Sequence, residues 1–174
     1  MKISLYVAMS LDGYIAKPND DLQWLNRFEA TDEDYGYAEY YSSIDAIIMG
    51  SRSYQIIKHL GEWPYKDKPC YVMSHQLKSL DSPHTHLISG NIAAVIAKLK
   101  SANYRKIWLL GGGKLVAAFH QADMIDEYII SIIPVILGNG IPLFPTPLNE
   151  KPLKLVEAKS YSTGVVQLQY TKAK

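Results

Sequence analysis

Ile107-Trp108-Leu109-Leu110-Gly111-Gly112-Gly113-Lys114 passes from an apolar, strand-like run into a helix start through three glycines. Ile47-Ile48-Met49-Gly50-Ser51-Arg52-Ser53-Tyr54 makes the same passage through one. Nearly continuous apolar runs are how strands covered on both faces read. Two strand–glycine–helix junctions therefore predict parallel βα units and an α/β fold. They also carry chemistry. A helix N-terminus has unpaired N–H groups and roughly half a positive charge, and glycine lets an anion approach the backbone. Both junctions belong at the carboxyl end of the sheet, where open α/β sheets bind ligands. Two such sites side by side fit a diphosphate. Neither matches a strict fingerprint: there is no G-x-x-x-x-G-K-[ST], and Gly111-Gly112-Gly113 lacks the G-x-G-x-x-G spacing. On spacing alone, the other reading is a pair of tight βα turns.

Working outward, strands are expected at 3–9, 44–49, 69–74, 85–88, 106–110 and 126–137, the last broken near Pro134. Helices are expected from a Thr31 cap to Ser43, from Ser51 to Leu60, from Asn91 to Ser101, and from the triple glycine to Ala122. Segments 153–160 and 165–171 form an antiparallel pair around Ser162-Thr163-Gly164. The expectation is one domain over residues 1–174: a mostly parallel sheet of about eight strands with an antiparallel C-terminal end and about four helices.

Composition narrows the classes. The formal net charge of +1 gives no basic field for nucleic acid or an anionic membrane. No apolar run approaches the roughly 18–20 residues of a bilayer span. The apolar start, Ile3 to Met9, runs into Asp12-Gly13 without an Ala-x-Ala-like cleavage site and reads as a strand, not a signal peptide. Cys70 is the only cysteine, which suits a reducing, cytoplasmic setting. His75, His84 and His86 bring no second cluster at ligand spacing, so no metal site is expected.

Further blocks carry a family likeness. Ala8-Met9-Ser10-Leu11-Asp12-Gly13-Tyr14-Ile15-Ala16, Met49 to Tyr54, Gly111 to Leu115, Asp126-Glu127-Tyr128 and Pro134-Val135-Ile136-Leu137-Gly138-Asn139-Gly140-Ile141-Pro142-Leu143-Phe144 stand in family order. Together they resemble the dihydrofolate reductase-like fold in its riboflavin-biosynthesis reductase branch. The resemblance implies an NADPH-dependent reductase of a pteridine- or ribosylaminopyrimidine-like molecule. It implies that Gly50, Ser51, Arg52 and Ser53, with Gly111, Gly112, Gly113, Lys114 and Leu115, hold the cofactor diphosphate. Ala8 and Ile15 would line the nicotinamide, and Ser74 and His75 would read the adenosine 2′-phosphate. Relatives carry Arg directly after the first glycine; here Ser51 stands there and Arg52 follows, turned by about 100° on a helix.

Asp21-Leu22-Gln23-Trp24 resembles the segment bearing the acid of dihydrofolate reductases, which offers Asp21 as the catalytic, substrate-binding acid. The other reading of Asp21 is a cap or loop acid. Asp12 reads as a turn-fixing residue. Tyr35, Tyr37, Tyr40 and Tyr41 read as packing, with a stacking wall for a heterocycle as the alternative. The H-x-E … P-C-x-x-C deaminase signature is absent. A non-catalytic nucleotide-binding module on the same fold is the competing function. A third idea is a mainly structural oligomer. The apolar run from Ile129 to Leu137 could pair across a two-fold axis, and the resembled family often dimerises through this region, so a homodimer is expected.

Overall fold

The computed structural model describes residues 1–173. The eight-stranded sheet has the order β5-β4-β3-β6-β1-β7-β10-β9. Its strands are β1 (Lys2–Ser10), β3 (Ala46–Gly50), β4 (Cys70–Met73), β5 (Thr85–Ile88), β6 (Lys106–Gly111), β7 (Glu127–Ile133), β9 (Leu153–Ser160) and β10 (Val166–Lys172). The strands from β5 to β7 are parallel, and β10 and β9 are antiparallel additions beside β7. A separate two-stranded pair joins β2 (Tyr14–Ala16) to β8 (Ile141–Pro142).

Alternation along the strands builds two cores. Ile3, Leu5, Ile48, Ile107 and Leu109 face Val95 and Leu99 of α4 (Ile92–Ser101) and Val116 and Phe119 of α5 (Gly113–Gln121). On the other face, Ile47, Met49, Val72 and Trp108 meet Tyr40 of α2 (Tyr37–Ser43) and Tyr54 of α3 (Ser51–His59). The result is a helix–sheet–helix sandwich. A third cluster, Trp24, Phe28, Ile133, Tyr161 and Val165, closes the carboxyl end beside β7 and includes the one-turn helix α1 (Asn26–Glu29).

Two expectations are corrected. The helix expected from Thr31 begins only at Tyr37, because Tyr35 and Gly36 have φ of 54° and 76° and break it. Asp34, not Thr31, accepts the N–H groups of Gly36 and Ala38. The strand expected to Leu137 ends at Ile133, before Pro134. β7 also lies between β1 and β10, so it has no free edge to offer a second copy. The exposed sheet edge at that end is β9, exposed at all eight positions.

Candidate functional site

Strand order brings the two glycine junctions together. β3 and β6 are neighbours, with Met49 opposite Gly111. The chain leaves β3 through α3 toward β4, and leaves β6 through α5 toward β7, in the opposite direction along the sheet. Adjacent strands with diverging connections open a crevice at their carboxyl ends.

The four glycines divide into two kinds. A Cβ on Gly111 would meet nothing within 4 Å, and one on Gly50 only Gly111 O at 4.0 Å. These two leave open space. Gly112 and Gly113 are used in packing: a Cβ on Gly112 would lie 3.2 Å from Ser53 Oγ, and one on Gly113 2.3 Å from Pro142 O. Gly111 and Gly112 have φ of 132° and 90°, which L side chains avoid. The helices that follow lack side-chain caps, with Gly50 at the N-cap of α3 and Gly112 at that of α5. By contrast, Asn91 caps α4 through Ala94 N–H at 2.9 Å. Uncapped amides around open glycines form a cradle suited to a diphosphate.

Other expected residues adjoin this cradle. Gly50 pairs with Met73, the last residue of β4, which places Ser74 and His75 just past that strand end. Ser74 is buried, its Oγ accepting the N–H groups of Gln76 and Leu77 at 3.1 Å each, while His75 is exposed. On the other side, β1 carries half-buried Ala8 beyond the last β1–β6 pair, Leu5 with Leu109, and Ile15 lies on β2. Lys114 is exposed on the first turn of α5. Leu115 has its side chain in the core and its N–H bonded to Gly112 O at 2.8 Å.

The acids at this edge are all engaged. Asp12 accepts Ser10 Oγ at 2.6 Å and the N–H groups of Leu137 and Gly138 at 3.0 and 2.7 Å, tying the turn after β1 to the loop after β7. Those hydrogen bonds, that of Ser10 foremost, hold its carboxyl below the usual range. Asp21 accepts Gln23 N–H at 2.8 Å and sits 3.8 Å from Lys17 Nζ. That is the geometry of a loop acid that starts the turn at Gln23. Arg52 is turned onto Asp20, with Nε 2.6 Å from one carboxylate oxygen.

Sequence reasoning missed Asp20, whose only local signal is the Asn19-Asp20-Asp21 run, and a groove beside β7. The groove has two parts, of about 430 and 330 Å³, that share Arg27. Phe28 and Pro134 line one part, and Lys17, Trp24 and Leu137 the other. Trp24 Nε1 is buried without a hydrogen-bond partner. The tyrosines of α2 are taken up in packing: Tyr40 stacks on Tyr6 at 4.3 Å and meets Trp108 edge-on at 5.7 Å. Tyr35 lies outside α2, its hydroxyl donating to Phe28 O.

Known proteins share this arrangement. The family profile described as the RibD C-terminal domain matches residues 1–167. The uncharacterized Bacillus subtilis (strain 168) protein YwjB is 42% identical over 173 residues, covering 99% of this chain and 98% of its own. The crystal structure of a candidate riboflavin biosynthesis protein from Shewanella sp. PV-4 superposes with a TM-score of 0.92 at 26% identity, over the full length of both chains. A diaminohydroxyphosphoribosylaminopyrimidine deaminase/5-amino-6-(5-phosphoribosylamino)uracil reductase from Thermotoga maritima superposes with a TM-score of 0.75 at 15% identity, over 99% of this chain and 56% of that larger one. With the family profile matching nearly the whole chain, the chain belongs to the RibD C-terminal domain family.

Proposed function

We propose that the protein is an NADPH-dependent reductase of a pteridine- or ribosylaminopyrimidine-like small molecule, related to riboflavin biosynthesis. The observation that carries this reading is the open cradle between Gly50 and Gly111, flanked by two uncapped helix starts. Backbone amides of Ser51, Arg52 and Ser53, and those of Gly113 and Lys114, would hold the diphosphate. Ser74 and His75 would receive the adenosine end, and Ala8 and Ile15 the nicotinamide end. NADPH, when bound, supplies a hydride. The chain's contribution is to orient the cofactor and to seat the acceptor beside Ala8, in the groove of Trp24, Arg27 and Leu137.

One observation favours the second reading, a nucleotide-binding module without turnover: Asp12, Asp20 and Asp21 are each already engaged. Loss of NADPH absorbance with dihydropterin and aminopyrimidine acceptors separates the two. Turnover with any of them supports the reductase. Binding of NADPH without oxidation by any of them supports the module.

We also propose that the protein is a homodimer. The support is β9, an edge strand that leaves Leu155 and Val156 51% and 54% exposed. Lys154, Glu157 and Lys159 share the strand with them, so the contact would be a mixed apolar and charged edge.

A further inference from the structure

Pro18–Asp20 forms a short turn in which Asn19 and Asp20 have φ of 63° and 64°. The turn is closed by Lys17 N–H donating to Asp21 O at 3.0 Å. It directs the Asp20 carboxylate at the first turn of α3, where Arg52 Nε donates to Oδ2 at 2.8 Å. Oδ1 lies 2.6 Å from the same nitrogen, yet it is buried and, among the described residues, is offered no well-directed hydrogen bond. The pair is therefore close but half-satisfied, and Arg52 is 64% exposed, so it is open to exchange. The first turn of α3 lies against the glycines after β6, a Cβ on Gly112 falling 3.2 Å from Ser53 Oγ, so the tie from the segment after β2 to Arg52 ends beside the cradle.

We infer that Asp20 is a built-in competitor for Arg52 that restrains anion binding at the Gly50–Gly111 cradle. In the free protein its carboxylate holds the guanidinium against the loop after β2. A phosphate entering the cradle must take Arg52 from it. Arginine presents a rigid fork of donors that suits phosphate as well as carboxylate, so the exchange replaces one partner by another of the same geometry. The ligand class is a nucleoside diphosphate-type polyanion, and the restraint bears on NADPH and NADH alike, because both carry the diphosphate. The inference rests on the cofactor reading above, and it assigns Asp20 and Arg52 opposing effects on affinity at that site.

The test is calorimetric titration of NADPH and NADH into the wild-type protein, D20N, R52Q and the double variant. Asparagine is among the residues that tolerate a left-handed backbone, so D20N suits the φ of 64° and keeps the turn. D20N is expected to bind NADPH and NADH each about two- to fivefold tighter than wild type. R52Q is expected to bind NADPH more weakly. In the R52Q background the D20N gain should fall by at least half. If that gain persists in full, Asp20 acts by repulsion and not by holding Arg52, and the inference fails. Wild-type binding of NADPH with D20N unchanged or weaker overturns the inference alone. No NADPH binding by any of the four proteins overturns the cofactor reading along with it.

Discussion

Gly50 and Gly111 stand at the ends of adjacent strands, offset by one residue, and a side-chain carbon on Gly50 would touch only Gly111 O, at 4.0 Å. Gly50 has ordinary extended geometry, with φ of −79°. Gly50→Ala therefore has room and no backbone strain. Its stability should stay within about 1 kcal/mol of wild type, a small loss at the N-cap being offset by reduced freedom of the unfolded chain. The added methyl occupies the space that a phosphate needs to reach the amides of α3. Losing a hydrogen bond to a charged group is worth on the order of 1.5–3 kcal/mol, so NADPH affinity should drop about tenfold or more. Normal affinity in a stable Gly50→Ala protein would remove the cradle from the account.

Gly113→Ala and Gly140→Ala should behave in the opposite way. Their side-chain carbons would lie 2.3 Å from Pro142 O and 2.2 Å from Ala16 O, both backbone atoms. The β2–β8 pair and its loops must shift to relieve this, at a cost of roughly 2–4 kcal/mol. Chemical denaturation should show lowered midpoints for both. Wild-type midpoints would mean that the loop over α5 is less tightly seated than the structure shows.

Glu127 predicts the acid limit of the fold. It is 3% exposed at the start of β7, between Lys2 Nζ and Ser4 Oγ at 2.8 and 2.7 Å, with Lys106 Nζ at 3.2 Å and Gln169 Nε2 at 2.9 Å. Burial alone would raise its carboxyl, but the hydrogen bonds from Lys2 and Ser4 and the charges of Lys106 and Lys2 together bring it down to about 2. A folded-state value below the unfolded one means stability that is present above about pH 4.5 and is lost as pH falls toward 2. The loss should be on the order of 2–3 kcal/mol. Glu127→Gln should be less stable near neutrality and show a flatter decline through that window. An unchanged acid profile in the variant would contradict the role given to Glu127.

The homodimer proposal makes β9 the contact. Light scattering on the wild-type protein at micromolar concentration should report twice the chain mass of 19.6 kDa. Val156→Lys places a charge on the exposed edge and should shift the mass toward that of one chain while the chain stays folded, as its far-UV circular dichroism would show. A wild-type protein with the mass of a single chain sinks the proposal.

Much of this architecture was legible along the chain, for local reasons. The apolar runs ending in Gly50 and Gly111 marked two central parallel strands, and Asn91 marked the start of α4, because burial on both faces and capping leave their signature within a few residues. The small β2–β8 pair was not legible, since Tyr14 meets Pro142 only once the chain has folded back. The false start at Thr31 came from a plausible cap followed by acids, and Gly36 was the signal that should have stopped it. At the candidate site, the glycines announced a close backbone approach but not to what. Only coordinates separate Gly50 and Gly111, which leave space, from Gly113, which is filled by Pro142 O. The Asp20–Arg52 pair depends on a left-handed turn and on a contact between distant segments, neither of which is written in local pattern.

The most direct measurement is thermal unfolding of the wild-type protein and Gly50→Ala with NADPH and with NADH at equal concentration. A ligand at about 100 times its dissociation constant stabilises the native state by roughly 2.7 kcal/mol. For a chain of this length that raises the midpoint by about 5–10 °C. The account predicts such a rise for the wild-type protein with NADPH, a smaller one with NADH, and about half the wild-type rise or less for Gly50→Ala with either. No rise for the wild-type protein with either nucleotide at saturating concentration would contradict it.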